Sequence, residues 1–201
     1  MAKRDKKMNA YILLDRSGSM ESLWKEALGS INGYVKELPK EANVFMAVFD
    51  SNGYDVIRNT TAGEWKKLSN DDAMPRGGTP LFDASARMML RILDDKPDKA
   101  VFVTMTDGEE NQSQHFKQVH VKTLVKDLEK LDYQILFLGA NFDKVGDVAN
   151  QYGIKSANWT NITPLNLNMT MSTLGTASMN YMTGSTRSVD IDEDIKKKAT
   201  S

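Results

Sequence analysis

The stretch Asn9-Ala10-Tyr11-Ile12-Leu13-Leu14-Asp15, followed at once by Arg16-Ser17-Gly18-Ser19-Met20, decides how the chain is read. Seven residues that are short, apolar in the middle and polar at the end predict a buried strand rather than an amphipathic one. A helical spacing follows it: Trp24, Ala27, Leu28, Ile31, Val35 and Leu38 recur between Glu21 and Leu38, and Pro39 stops the run. A buried strand, a tight polar turn and a helix are the opening unit of an α/β sheet protein.

The same alternation continues outward. Asn43 to Phe49 predicts a second strand, and Asp50-Ser51-Asn52-Gly53 before Tyr54 to Ile57 predicts a hairpin. The third strand is therefore expected antiparallel to the second and at a sheet edge. Thr60 to Met74 is polar and aperiodic, a loop or weak helix. Arg76-Gly77-Gly78-Thr79-Pro80 then marks a turn, with Thr79 expected as N-cap and Pro80 as first residue of a helix reaching about Asp94. Lys99 to Thr106 is the most apolar strand and is expected at the centre. Phe116 to Leu131 predicts a helix, Tyr133 to Leu138 a strand, Asp143 to Tyr152 a short helix and Ser156 to Trp159 a last edge strand. The expected fold is α/β: a doubly wound, mostly parallel central sheet with one antiparallel edge strand and helices on both faces. The expected organisation is one domain over 8–160, a Ser/Thr/Met-rich segment over 161–188, and a mobile charged tail over 189–201. Leu165 to Met182 reads as a helix weakened by Gly175 and several Thr residues.

Composition narrows the function classes. The 201 residues carry 26 Lys and Arg against 27 Asp and Glu, a net charge of −1, which lacks the basic excess of a dedicated nucleic-acid binder. Hydrophobic residues at 40% and charged residues at 26% fit an ordinary globular chain rather than a disordered one. No Cys is present, so disulfides, zinc–thiolate sites, iron–sulfur clusters and cysteine nucleophiles are excluded. No apolar stretch approaches the roughly 18 residues of a membrane span. The expected compartment is the cytoplasm.

Three polar clusters fall at the ends of predicted elements: Asp15-Arg16-Ser17-Gly18-Ser19, Gly77-Gly78-Thr79-Pro80 and Thr106-Asp107-Gly108-Glu109-Glu110-Asn111. Ligands in doubly wound sheets sit at the carboxyl ends of the strands. The candidate ligands there are carboxylates and hydroxyls, the oxygen set preferred by hard cations such as Mg2+. Asp15 and Asp107 would balance the charge, and Ser17, Ser19 and Thr79 would add hydroxyls. An external carboxylate or water could fill what remains.

These three clusters, in this order, resemble the metal-ion-dependent adhesion site of von Willebrand factor type A domains. The resemblance spans about residues 8 to 160. Gly77-Gly78-Thr79-Pro80-Leu81-Phe82-Asp83-Ala84, Thr106 to Asn111 and Phe137-Leu138-Gly139-Ala140-Asn141 are similar to the versions in small cytosolic bacterial and bacteriophage members. The resemblance implies that Ser17, Ser19 and Thr79 coordinate Mg2+ or Mn2+ through their hydroxyls, and that Asp15 and Asp107 do so directly or through water. It further implies that a protein partner supplies an acidic side chain to the remaining position, with no nucleic acid, membrane or small-molecule substrate involved. For a phage-encoded chain the compartment would be the host cytoplasm.

Plainer readings stand beside these. The first cluster could be a capped turn, although Ser22 stands where a capping box needs Glu or Gln. Thr79 could be only an N-cap. Glu109 and Glu110 could be solvated loop carboxylates or could shape the charge a partner meets. Asp50 could be a turn residue or could support the site from behind, and Gly78 and Gly108 could likewise lie behind the site or face a partner. Arg16 is expected not to disturb ligation, and His115 and His120 carry no assigned role. Met169, Met171, Met179 and Met182 could pack in the core or form an adaptable surface. No nucleophile–base pair is recognisable, so a non-enzymatic binding module is the leading expectation. A metal-dependent phosphate-ester hydrolase and a scaffold with a structural metal are the alternatives.

Overall fold

The computed structural model describes residues 7–140, 145–155 and 158–191. Six strands form one sheet: β1 (Met8–Asp15), β2 (Asn43–Asp50), β3 (Gly53–Thr61), β4 (Lys99–Thr106), β5 (Gln134–Ala140) and β6 (Trp159–Ile162), in the spatial order β3-β2-β1-β4-β5-β6. Every pairing is parallel except β2 with β3, which is antiparallel. The helices are α1 (Trp24–Glu37), α2 (Leu81–Asp95), α3 (Gln118–Lys130), α4 (Val145–Tyr152) and α5 (Leu167–Thr183). A 3-10 turn over Gly18–Leu23 leads into α1.

The continuous apolar character of β1 has a simple cause: both of its faces are covered. Ala10, Ile12 and Leu14 pack into one core with Ala27, Leu28 and Ile31 of α1 and Leu167, Met171 and Leu174 of α5. Tyr11 and Leu13 point the other way, into a second core with Leu81, Met88 and Met89 of α2, Val121 and Val125 of α3, and Val148 of α4. Such two-sided burial reads as an apolar run, not as an alternation. From β1 the chain moves outward to β2 and β3, then returns to the other side of β1 to make β4. The strand order thus reverses between β1 and β4, the place at which sheets of this kind form ligand sites, at the carboxyl ends of the strands.

Several expectations shift in position. The third strand runs to Thr61, four residues past the expected Ile57, because its polar end Arg58-Asn59-Thr60-Thr61 pairs with Asn43 to Met46 while its outer side meets solvent. The last strand is Trp159–Ile162 instead of Ser156 to Trp159: its pairing with Phe137 to Ala140 of β5 selects the segment, and Thr160 and Ile162 are the buried residues. Ser156 and Ala157, like residues 141–144, lie outside the described residues. The weak C-terminal helix is a full 17-residue helix, α5, stabilised by tertiary packing on α1 rather than by propensity. Met171 and Met182 are buried in the core and Met169 is exposed. The segment expected as a tail begins inside the structure: Val189 and Ile191 are buried, and the Val189 amide donates to Gln134 Oε1 at 3.0 Å. Residues 192–201 lie outside the described residues. Among the described residues no helix is long and apolar enough to cross a membrane.

Helices α1 and α5 touch most closely at Gly175. A Cβ there would lie 2.8 Å from the Tyr34 carbonyl oxygen and 2.8 Å from Glu37 Cβ. The backbone carbonyl cannot step aside, so the clash outweighs the gain of about 1 kcal/mol that Ala holds over Gly in a helix. Gly175→Ala is expected to lower stability by about 1–3 kcal/mol in urea denaturation. An unchanged midpoint would contradict this close approach.

Candidate functional site

Asp15 ends β1 next to the point where the strand order reverses, and its side chain has no solvent exposure. Its Oδ1 accepts the Ser17 amide at 2.7 Å and its Oδ2 accepts the Thr106 hydroxyl at 2.6 Å. Burial pushes the carboxyl up to about 6, against the lowering effect of these two hydrogen bonds. Asp107, one residue past β4, is half-buried and also raised, first by burial, with the Ser19 hydroxyl opposing. Two carboxylates whose charged forms are disfavoured at one spot would both be relieved by a cation.

The hydroxyls close the ring between them. Ser17 Oγ lies 3.1 Å from Ser19 Oγ, and Ser19 Oγ donates to Asp107 Oδ1 at 2.8 Å. Thr79 is almost wholly buried, and a methyl placed on Gly108 would sit 3.5 Å from Thr79 Oγ1 and 4.0 Å from Ser19 Oγ. The first, second and third polar clusters therefore meet at Gly108. Among the described residues no three His, Cys, Asp or Glu side chains come together, so a cation here would depend on hydroxyls beside two carboxylates. The donor spacing fits such an ion: ligands at about 2.0–2.1 Å in an octahedron place neighbouring oxygens about 2.9–3.0 Å apart. The Ser17 Oγ–Ser19 Oγ and Ser19 Oγ–Asp107 Oδ1 hydrogen bonds, 3.1 and 2.8 Å, hold these oxygens near that spacing.

Thr79 is not a helix cap. Helix α2 begins one residue later than expected, with Pro80 at the cap position and no side-chain capping bond. The loop after β4 does that work. Glu110 Oε2 accepts the Phe82 amide at 2.7 Å and Ser113 Oγ accepts the Asp83 amide at 3.0 Å. Asp83 answers by accepting the amides of Gln114, at 2.8 Å, and Phe116, at 2.6 Å. Asn111 Oδ1 accepts the Thr79 amide at 2.9 Å, and the Asn111 amide donates to the Thr79 carbonyl at 3.1 Å. Glu110 is thus a structural acceptor rather than a solvated loop carboxylate, whereas Glu109 is exposed. Of the two histidines, His120 accepts the Lys117 amide at 3.1 Å at the start of α3.

Arg16 and Asp50 are the residues whose importance the sequence reading understated. Both are buried. Arg16 Nε donates to Asp50 Oδ2 and Arg16 Nη2 to Asp55 Oδ2, while Arg76 Nε donates to the same Asp50 oxygen at 3.0 Å. Backbone bonds run alongside: the Arg16 amide to the Phe49 carbonyl at 2.9 Å, the Arg76 amide to the Arg16 carbonyl at 2.7 Å, and the Gly18 amide to the Gly77 carbonyl at 3.0 Å. Gly78 is tied to the hairpin through Ser51, whose amide meets its carbonyl at 2.9 Å and whose hydroxyl accepts its amide at 3.0 Å. Gly77 has φ +68°, and a Cβ there would fall 2.5 Å from Ser51 Oγ, which accounts for glycine at that turn. The available signal was an Arg directly after a buried strand, with two Asp residues flanking the next hairpin.

The fold is that of von Willebrand factor type A domains, as three solved structures illustrate. A von Willebrand factor type A protein from Catenulispora acidiphila matches 87% of this chain and 43% of its own, with TM-score 0.65 and 17% identity. The pilus adhesin SpaC from Lactobacillus rhamnosus GG matches 90% of this chain and 31% of its own, with TM-score 0.69 and 12% identity. The vWF domain of the type V pili tip protein Mfa5 from Porphyromonas gingivalis matches 85% of this chain and 94% of its own, with TM-score 0.65 and 10% identity. The chain therefore spans less than half the length of the first two. No protein-family model and no curated protein matches it.

The Asp50 cluster makes a pH prediction. Burial alone would raise the Asp50 carboxyl, but hydrogen bonds from Arg76, the Asn52 amide and Arg16 outweigh it and hold the group below the usual carboxylate range. A carboxylate depressed in the folded state stabilises above its unfolded value, about 3.9, and loses that contribution as pH falls through the lower folded value. Asp50→Asn is expected to cost about 3 kcal/mol at pH 7, because it leaves Arg16 buried with a weakened partner. Urea denaturation from pH 7 to pH 3 should show a gap between wild type and variant that is steady above about pH 4 and narrows below it. A constant difference would contradict the assignment.

Proposed function

We propose that this chain is a non-enzymatic, metal-dependent protein-binding module. The observation that carries the reading is the convergence of Ser17, Ser19, Thr79 and Asp107 beside buried Asp15, at the carboxyl ends of β1 and β4. Ser17, Ser19 and Thr79 would hold Mg2+ or Mn2+ through hydroxyl oxygens, and Asp107 and Asp15 would hold it directly or through water. When bound, the ion would supply a Lewis-acidic position for a carboxylate from a partner protein.

The chain's own residues define what such a partner meets. Asp15 is withdrawn from solvent and cannot reach a partner, so its role is to hold charge beneath the ion. Ser19 and Glu109 are exposed and Asp107 is half-buried, so they form the accessible rim. Gly108 keeps that rim low, since any side chain there would stand between Thr79 and Ser19. Two of the similar structures are a pilus adhesin and a pilus tip protein, which accords with a binding role for this fold. The partner proposed here is a protein with an exposed acidic residue, rather than a nucleic acid, a membrane or a small molecule.

Thermal unfolding of metal-stripped protein tests the reading. Mg2+ or Mn2+ at 100 times its dissociation constant should add about 2.7 kcal/mol and raise the midpoint. Asp15→Ala and Thr79→Ala should fold yet show no metal-dependent rise. A wild type indifferent to millimolar Mg2+ and Mn2+, or variants that respond as it does, would overturn the reading.

A further inference from the structure

We infer that Arg16 is a positioning residue of the metal site: it sets the distance between the Asp15–Ser17 arm and the Thr79 arm by clasping the β2–β3 hairpin. This rests on the metal-site reading above. Arg16 occupies the position between two proposed ligands, yet its buried side chain runs away from them to buried Asp50 and half-exposed Asp55. Its guanidinium uses separate nitrogens on two carboxylates, Nε on Asp50 and Nη2 on Asp55. Its backbone adds a second tie to the hairpin, through its amide to Phe49 of β2, and reaches one further segment, through its carbonyl to Arg76. One residue thus joins the turn after β1, the hairpin and the loop that delivers Thr79.

The second half of the clasp comes from Arg76, which shares the Asp50 oxygen with Arg16 and lies three residues before Thr79. Its Nη2 also approaches Asp55, at 3.9 Å. Two guanidiniums against two carboxylates leave the cluster neutral as a whole. That neutrality matters beside a cation site, because an unmatched arginine there would repel the ion. A planar fork reaching two carboxylates at once is a task for arginine; a lysine ammonium offers a single point charge.

The remaining arm is fixed by other means. Asp107 and Gly108 follow β4, and Asn111 ties their loop to Thr79 through paired backbone and side-chain bonds. Loss of the Arg16 side chain would keep the backbone ties of Gly18 to Gly77 and of Asn111 to Thr79. It would remove the ion pairs from Arg16 to Asp50 and Asp55, leaving Arg76 to couple the carboxylates of the hairpin to the Thr79 loop. Groups that hydrogen-bond a ligand directly change metal affinity by about 10–100-fold when removed; Arg16 acts one step further out, through Asp50 and Arg76, so the low end of that range is expected.

The test is a Mn2+ titration of metal-stripped protein, followed by the paramagnetic resonance signal of free Mn2+, with metal-free thermal unfolding measured on the same samples. Arg16→Met is expected to weaken Mn2+ binding by about tenfold, with Arg16→Lys intermediate. Asp55→Asn, at an exposed position, keeps a variant in hand if Arg16→Met does not fold; because it also leaves a guanidinium unmatched, it is titrated at about 0.5 M salt, where that repulsion is screened, and is expected to weaken binding there too. Asp107→Ala serves as the control that abolishes binding. If Arg16→Met, or Asp55→Asn in its place, lowers the metal-free midpoint but binds Mn2+ as wild type does, Arg16 is merely structural and the inference fails. If Asp107→Ala binds Mn2+ normally, the site reading itself fails and the inference falls with it.

Discussion

A carboxylate with no solvent exposure stands at the end of a strand that is paired on both sides, and most of the site's architecture follows from that fact. Asp15 cannot be hydrated, so it must be hydrogen-bonded or neutralised. The Ser17 amide takes one oxygen and the Thr106 hydroxyl takes the other. Those two bonds require a turn immediately after β1 and a β4 that runs parallel beside it to the same height. The strand order supplies the second condition, since β4 is the neighbour reached when the chain crosses back over the sheet. Even so, burial leaves the carboxyl raised. Asp107, raised by burial in the same way, lies beside the same turn through its bond from Ser19.

The loops that complete the site are held by hydrogen bonds between loops, not by packing within each loop. The Gly-rich turn is fastened to the first turn and to the hairpin through Gly77, Gly78 and Arg76, while the loop after β4 is fastened to α2 by Glu110, Ser113 and Asp83 in both directions. Thr79 sits where these two sets of ties meet. Its hydroxyl is thereby delivered by a segment without regular structure but with little freedom, a supported arrangement that a binding constellation requires.

Strands buried on both faces were the most legible part of the sequence. Asn9 to Asp15 and Lys99 to Thr106 announce themselves as apolar runs because no solvated face interrupts them. The edge strands carried less signal. The polar half of β3 and all of β6 are strands only because Asn43 to Met46 and Phe137 to Ala140 present hydrogen-bonding edges to them, and a window of local sequence holds no record of that. Helix α5 was legible in extent, Leu165 to Met182 against Leu167–Thr183, but not in strength, since its Thr and Gly content argues against a helix that packing on α1 maintains. In the site, all five proposed ligand positions could be named from hydroxyls and carboxylates at strand ends. What could not be read was the support: Thr106 was visible only as part of a cluster, and the partnership of Arg16 with Asp50 and Asp55 depends on a contact 34 and 39 residues away along the chain.

The central claim is that three separated segments form one cation site. The most direct measurement is a crystal structure of the protein grown with Mn2+, phased to show the anomalous signal of the ion. The account predicts a single strong peak at the carboxyl ends of β1 and β4, in contact with Ser17, Ser19 and Thr79 and beside Asp107. No peak there at saturating Mn2+, or a peak held by other residues, would contradict it.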